Sequence, residues 1–262
     1  MHVTTGESRR GTRERHGQML ALVRAGTTHV EELAEALGVS SSTVRRDLGR
    51  LTQSGQVTRT YGGAISPDTF NERSVRESAR LRRPAKAAIA AQAAPLVADG
   101  STVFIDAGTT CSALAGLLFE RHDLTVVTRG LEVAAQLASS PDVDVIILGG
   151  QLRRLSHGLI GPLTELALQR LSFEVAFLGA DAVDPSRGIG EPTLEETSVK
   201  EHVAANSKSV VVLADSSKLR GAGPPAWAHL PEGWCLITDS EVEQSVARGF
   251  ASRGIDLIIA GG

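Results

Sequence analysis

The chain has 262 residues, of which 42% are hydrophobic and 3% aromatic, and a formal net charge of −3. That length supports a sizeable core divided between two domains, packed by Val, Leu, Ile and Ala rather than by rings. No apolar run approaches membrane-spanning length, and the polar, Arg-containing N-terminus lacks the apolar core of a signal peptide, so a cytoplasmic protein is expected. Two cysteines, Cys111 and Cys235, exclude a disulfide framework, and neither has zinc-ligand neighbours, so no metal and no cofactor is expected. Cys111 reads as a small buried side chain rather than an activated thiol.

The charge is unevenly spread. Residues 1–86 carry 15 Lys and Arg against 9 Asp and Glu, a net +6, while the remainder carries 12 against 21, a net −9. A basic end on an acidic body suits contact with DNA at that end only. Met1 to Thr12 is polar and reads as a frayed terminus. Arg15 to Ala25 reads as a helix with Met19, Leu20, Leu22 and Val23 as its apolar contacts, and Val30 to Leu37 as a second. Gly38-Val39 turns into a third, from Val39 to Leu51. Ser40 is its N-cap, and Val44, Leu48 and Leu51 form one apolar stripe. Off that stripe lie Ser41, Ser42, Thr43, Arg45, Arg46 and Arg50, the donors that phosphates and guanine edges accept. Such a face alone would also suit solvent. Behind a helix and a short glycine turn it has the helix-turn-helix layout. Gln56 to Tyr61 then alternates like a strand and ends at Gly62-Gly63, a wing whose Arg59 and Tyr61 can reach a sugar-phosphate backbone. Residues 12–67 therefore read as a winged helix-turn-helix DNA-binding domain.

Residues 68–85 form a connector in which Arg73, Arg76, Arg80, Arg82 and Arg83 alternate with Glu72 and Glu77. It reads as a coupling helix or as a solvated linker. From residue 86 to 262 strands and helices alternate. Helices are expected over Lys86–Val97, Cys111–Phe119, Leu131–Leu137, Thr164–Leu171, Glu195–Asn206 and Glu241–Ser252. Strands are expected over Thr102–Ile105, Leu124–Thr128, Val143–Leu148, Glu174–Leu178, Ser209–Leu213, Cys235–Thr238 and Ile255–Ile259. Short Val- and Ile-rich runs between amphipathic segments imply an α/β fold, a mostly parallel, doubly wound sheet covered on both faces.

Ligands of such sheets bind at the carboxyl ends of the strands. The first strand runs into Asp106-Ala107-Gly108-Thr109-Thr110, where glycine permits close backbone approach and helix-start amides favour an anion. The second ends at Thr128-Arg129, the third at Gly149-Gly150 before Arg153 and Arg154, the fourth at Gly179-Ala180-Asp181, and a later one at Asp215-Ser216-Ser217-Lys218. Each could be an ordinary turn. Together they describe a polar pocket for a phosphorylated polyol, with phosphate on amides and cations and hydroxyls on carboxylates. Spacing does not assign which side chain meets which group.

TVRRDL followed by TRTYGGA, then DAGTT, GG and DSSK in this order, resembles the DeoR family of bacterial transcription regulators over nearly the whole chain. The resemblance implies a sensor domain related in fold to ribose-5-phosphate isomerase that binds a phosphorylated sugar effector and joins a homodimer or homotetramer on operator DNA. It places Asp106, Gly108, Thr109 and Thr110 in the first effector loop, Gly149 and Gly150 at its paired glycines, Asp181 in its GAD segment, Lys200 on the helix after Glu195-Glu196, and Asp215 and Lys218 in its DSSK segment. Thr128 and Arg129 end the second strand. The family commonly has asparagine where this chain has Arg129, which implies a more anionic effector, and threonine where it has Gly190. A repressor of carbohydrate-metabolism genes is the expected function. The alternative is a sugar-phosphate isomerase tethered to DNA, with Asp181, Glu195, Lys200 and Lys218 as candidate acid–base groups. The isomerase's lysine- and glycine-rich catalytic segment has no match after Asp181, which favours binding without turnover. His157 reads as a loop histidine facing solvent, with a pocket lid as its functional alternative.

Overall fold

The computed structural model describes residues 5–24, 27, 29–53, 57–60, 63–65, 70, 72–220 and 223–261. The chain divides into two compact units, Met1–Asn71 and Glu72–Gly262.

In the first unit α1 (Thr5–Arg24), α2 (Val30–Leu37) and α3 (Ser41–Gln53) precede a hairpin of β1 (Thr58–Thr60) and β2 (Gly63–Ile65). Helix α1 starts at Thr5, well before the Arg15 start that apolar periodicity suggests, because its first turns carry no apolar stripe to read. Met19, Val23, Val30, Leu33, Val44, Leu48, Leu51 and Val57 form a single small core. Gly38 ends α2 in the left-handed region, φ 61°, and returns its amide to Ala34 and Glu35. That closes the helix and aims the chain at α3 within two residues. Ser40 caps α3, its hydroxyl accepting from the Thr43 amide at 3.2 Å. The strands pair antiparallel, Thr58 opposite Ile65 and Thr60 opposite Gly63, as a wing does.

The second unit opens with α4 (Val75–Ser78), α5 (Arg83–Ala93) and a 3-10 turn, Ala94–Leu96. It continues through β3 (Thr102–Ile105), α6 (Thr109–Leu117), β4 (Leu124–Thr128), α7 (Leu131–Leu137) and β5 (Val143–Ile147). The short pair β6 (Gln151–Leu152) and β7 (Leu159–Ile160) leads to α8 (Pro162–Leu168) and β8 (Phe173–Leu178). Then come β9 (Ala182–Asp184), β10 (Gly188–Glu191), α9 (Leu194–Ala205), β11 (Ser207–Leu213) and a 3-10 turn at Ser216–Leu219. The chain ends with β12 (Ala226–Ala228), β13 (Cys235–Asp239), α10 (Gln244–Ala251) and β14 (Asp256–Ala260).

Seven strands form one parallel sheet in the order β14-β13-β11-β8-β3-β4-β5. Alternate side chains serve two cores. Val103, Ile105, Val126 and Phe177 pack with Ile89 of α5, Leu114 of α6 and Val133 of α7 on one face. Phe104, Val127, Ala176 and Leu178 pack with Leu168 of α8, Val199 of α9 and Phe250 of α10 on the other. Burial on both faces is why these strands read as continuous apolar runs. Strand β5, at one edge, leaves Ile146 and Ile147 exposed. Beside this sheet lie an antiparallel three-stranded sheet, β12-β10-β9, and the β6–β7 hairpin. Gly190 faces Trp227 in the small sheet, and a Cβ there would come within 2.7 Å of Pro224 Cγ. Packing by Pro224 and by Trp227 of β12 thus accounts for glycine at that position.

From β3 the chain steps to β4 and β5 on one side, and from β8 to β11, β13 and β14 on the other. The reversal lies between β3 and β8, and the crevice beyond their carboxyl ends is where such sheets hold ligands.

Candidate functional site

In the first unit Arg45, Arg46 and Arg50 stand exposed on α3. Arg45 approaches Glu31 at 3.4 Å and Arg50 approaches Asp47 at 3.8 Å. Ser42 and Thr43 hydroxyls each lie 2.9 Å from that of Ser40, and Ser41 is half-buried. Asp47, between the two basic residues and Leu48, has a different task. It is 1% exposed and binds Arg15 Nε at 2.7 Å and His16 at 3.2 Å, tying α1 to α3. Burial would raise its carboxyl, but these two partners outweigh it and hold the pKa below the ordinary range. Arg59 lies on β1, and Tyr61 falls outside the described residues.

In the second unit a cavity of about 100 Å³ opens at the crevice between β3 and β8. One buried water needs ~10–15 Å³, so this space takes a small polar molecule. Its lining gathers Gly108, Thr109, Thr110, Arg129, Asp181, Lys200, Asp215 and Lys218, which sequence places on five separate segments. Thr109 and Thr110 open α6, so the lining includes a helix start, where free amides favour an anion. Lys218 Nζ donates to Asp181 Oδ1 at 2.8 Å, both half-buried.

Asp106 underlies the floor, fully buried. It accepts from the Ala107 amide at 2.7 Å, the Gly179 amide at 3.2 Å, Arg129 Nε at 2.5 Å and Lys200 Nζ. Burial pushes its carboxyl up, yet Arg129 and Lys200 outweigh that and hold the pKa at about 2. Burial would lower both cations, but neighbouring carboxylates, Asp106 foremost, outweigh it and raise them, so Arg129 and Lys200 stay charged. Arg129 Nη1 stands 3.7 Å from Glu196, which binds Arg153 at 2.5 Å; Arg153 in turn grips Glu72 at 2.8 Å. Arg129 is 2% exposed and its charge is matched by carboxylates, so it adds no uncompensated charge to the cavity. Glu191, at the end of β10, lies 3.1 Å from Lys200, but desolvation prevails, with Asp181 and Glu196 adding to it, and its carboxyl is pushed up to about 8. A protonated carboxyl can both donate and accept, which suits a hydroxyl or carbonyl.

Thr128, Gly149 and Gly150 stand outside this lining. Thr128 accepts from the Gly130 amide at 3.0 Å. A Cβ on Gly150 would lie 2.3 Å from the Thr164 hydroxyl, so that glycine lets the β6–β7 hairpin close against α8. His157 lies outside this lining, its Nδ1 pairing with Glu132 at 2.5 Å, while its neighbour Ser156 lines the cavity. Cys111 is buried with its thiol raised by desolvation, as a packing residue's would be. Sequence reading missed the wall made by Val75, Ser78, Leu81, Arg82 and Lys86. One signal was present in Ser74-Val75-Arg76-Glu77, a capping box that starts α4.

A helix-turn-helix with exposed arginines and a doubly wound unit with a polar crevice, joined in one chain, define the class of ligand-responsive transcription regulators. The model described as DeoR-like helix-turn-helix domain matches residues 15–70, and that described as DeoR C terminal sensor domain matches 82–240. The chain belongs to the DeoR family. It is 31% identical over 262 residues to a protein of Escherichia coli O157:H7 provisionally named aga operon transcriptional repressor, covering 98% of this chain and 97% of that one. It is 33% identical to the HTH-type transcriptional regulator GlpR of Haloferax volcanii, covering 87% and 90%. It is 32% identical to the glycerol-3-phosphate regulon repressor of Haemophilus influenzae, covering 95% and 97%. Among solved structures, ribose 5-phosphate isomerase A of Methanocaldococcus jannaschii aligns with a TM-score of 0.38 and 21% identity, over 52% of this chain and 53% of that one. The chain thus spans about half the length of that isomerase. No helix among the described residues is long and apolar enough to cross a membrane.

Proposed function

We propose that this protein represses carbohydrate-metabolism genes, with operator affinity set by a phosphorylated sugar or polyol held in the cavity at the β3–β8 crevice. The carrying observation is the convergence there of the α6 amides, Thr109 and Lys218 for an anion, beside Asp181 and the protonatable Glu191 for hydroxyls. Relatives named for the glycerol-3-phosphate regulon and the aga operon support that ligand class. DNA as its partner places its work in the cytoplasm. In this division of labour residues 12–67 bind DNA through α3 and the wing, 68–85 connect, and 86–262 sense.

Binding without turnover is the favoured chemistry. Lys200 is held charged against Asp106 and cannot serve as a base, Asp181 is paired with Lys218, and Glu195 is exposed outside the cavity lining. Isomerisation needs a poised base next to the carbonyl. We further propose assembly as a dimer or tetramer through the second unit, which exposes Ile146 and Ile147 on an edge strand and Leu163 on α8, and which lets two helix-turn-helix units meet two half-sites. Light scattering that finds a monomer at micromolar concentration, with and without operator, would remove this part.

The test of the whole reading is fluorescence anisotropy of labelled operator at fixed salt, titrated with glycerol 3-phosphate and with pentose and hexose phosphates. One of these should shift operator affinity by about 5–150-fold. Lys218→Ala and Thr109→Val should abolish or right-shift that response. Absence of any response in the wild type, or conversion of the ligand to its isomer, would overturn it.

A further inference from the structure

The cations in the cavity wall are not equivalent. Arg82 lies within 3.1 Å of Asp215, Asp239 and Glu241; Arg129 and Lys200 share Asp106; and Lys218 holds Asp181. Lys86, on α5, is 8% exposed and, among the described residues, has no carboxylate at ion-pair distance. Its ammonium donates instead to two backbone carbonyls, Ser78 O at 2.8 Å and Leu81 O at 2.6 Å. These carbonyls belong to the turn that ends α4, which forms part of the same cavity wall. The surroundings leave the ammonium short of negative charge. Desolvation lowers its pKa, and although Asp215 acts against that, Lys218, Arg82 and Arg73 add to it.

Two weak acceptors therefore hold a buried cation in a corner where three other cations converge. An ammonium gains more from a phosphate oxygen than from a neutral carbonyl, because charge-assisted hydrogen bonds are about twice as strong as neutral ones. It also has three donors and uses two on these carbonyls. We propose that Lys86 is an anion-binding residue of the cavity and its latch on the connector: without ligand it clamps the 78–81 turn, and an incoming phosphate draws its ammonium away and releases that turn. The other supports flank that turn. Glu72 is gripped by Arg153, the Val75 amide donates to Leu155 O at 2.7 Å, and Arg82 is held by Asp215, Asp239 and Glu241, so release is confined to residues 78–81 between them.

This inference rests on the reading of the cavity as a phosphate-bearing effector site, and the experiment separates the two. Amide hydrogen exchange over residues 75–82 is measured in the full chain, with and without glycerol 3-phosphate or inorganic phosphate, alongside calorimetric binding of each. Wild type should bind a probe and then exchange faster in this segment. Lys86→Met should exchange about tenfold faster there without any probe, bind about tenfold more weakly, and show no further change on addition. Lys86→Arg keeps the charge and should retain part of the binding, which separates loss of the cation from general loosening. A Lys86→Met protein that binds and responds as wild type does would overturn the latch while leaving the effector site standing. A wild type that binds neither probe would overturn Lys86 as an anion-binding residue and the latch with it, whereas the effector reading falls only if the pentose and hexose phosphates fail as well.

Discussion

The two units use arginine in opposite ways. On α3, Arg45, Arg46 and Arg50 are exposed, Arg45 approaching Glu31 at 3.4 Å and Arg50 approaching Asp47 at 3.8 Å. In the second unit Arg129 is 2% exposed, with Asp106 at 2.5 Å and Glu196 at 3.7 Å. An exposed guanidinium keeps its hydration and can trade it for phosphate, releasing counterions. A buried one has already been committed to a carboxylate, and separating the pair leaves a charge that nothing solvates. Composition counts both residues alike. Burial decides which of them is a contact and which is scaffolding.

The comparison breaks hardest at Arg129. Arg129→Met should strand Asp106 against Lys200 alone and destabilise the second unit by roughly 3–5 kcal/mol. A urea midpoint equal to that of wild type would show that the pair is not structural. Next in size is Arg46→Ala, which should cost about 1–3 kcal/mol in operator affinity and leave thermal unfolding unchanged. If melting falls instead and binding holds, the outward face of α3 has been misassigned.

A third test sharpens the electrostatics of the cavity through pH. Asp106 has its folded pKa depressed to about 2, so its stabilising contribution is present above its ordinary value of 3.8 and is lost as pH falls from there toward 2. Glu191 has its folded pKa raised to about 8, so its contribution is complete below its ordinary 4.5 and is lost as pH rises toward 8. Glu191→Gln should therefore flatten the decline in stability between those limits and leave the acid limb intact. Unfolding curves of both proteins at pH 5, 7 and 8.5 decide this, and an unchanged slope would mean that Glu191 ionises normally.

Much of this was legible in the sequence where a local pattern carries the information. The strands Thr102–Ile105 and Leu124–Thr128 and the helix Leu131–Leu137 have the bounds that apolar runs and periodicity suggest. Gly188 to Glu191 was not legible, since it offers one large apolar residue in four and becomes a strand through pairing with Ala226–Ala228, far along the chain. The site shows the same division. Asp106, Thr109, Asp181 and Lys218 sit at strand ends, where the doubly wound rule directs attention. Lys86 and Arg82 enter the cavity from a segment before the first strand, which no strand-end rule covers. The roles of Asp47 and Arg129 were hidden for another reason. Motif position places a charged residue near a site, but its partners come from distant residues, here Arg15, Asp106 and Glu196.

Gly158 shows what an arginine at position 129 demands of the rest of the chain. A Cβ at Gly158 would stand 2.6 Å from Arg129 Nη1, and the guanidinium cannot swing aside because its Nε is bound to Asp106. Without the guanidinium, the closest remaining approach is Ala107 Cβ at 3.2 Å, which small adjustments can absorb. The two positions thus form an ordered pair in sequence space. Glycine at 158 has to be in place before arginine at 129 can arrive, and once the arginine is present the glycine is no longer free to drift.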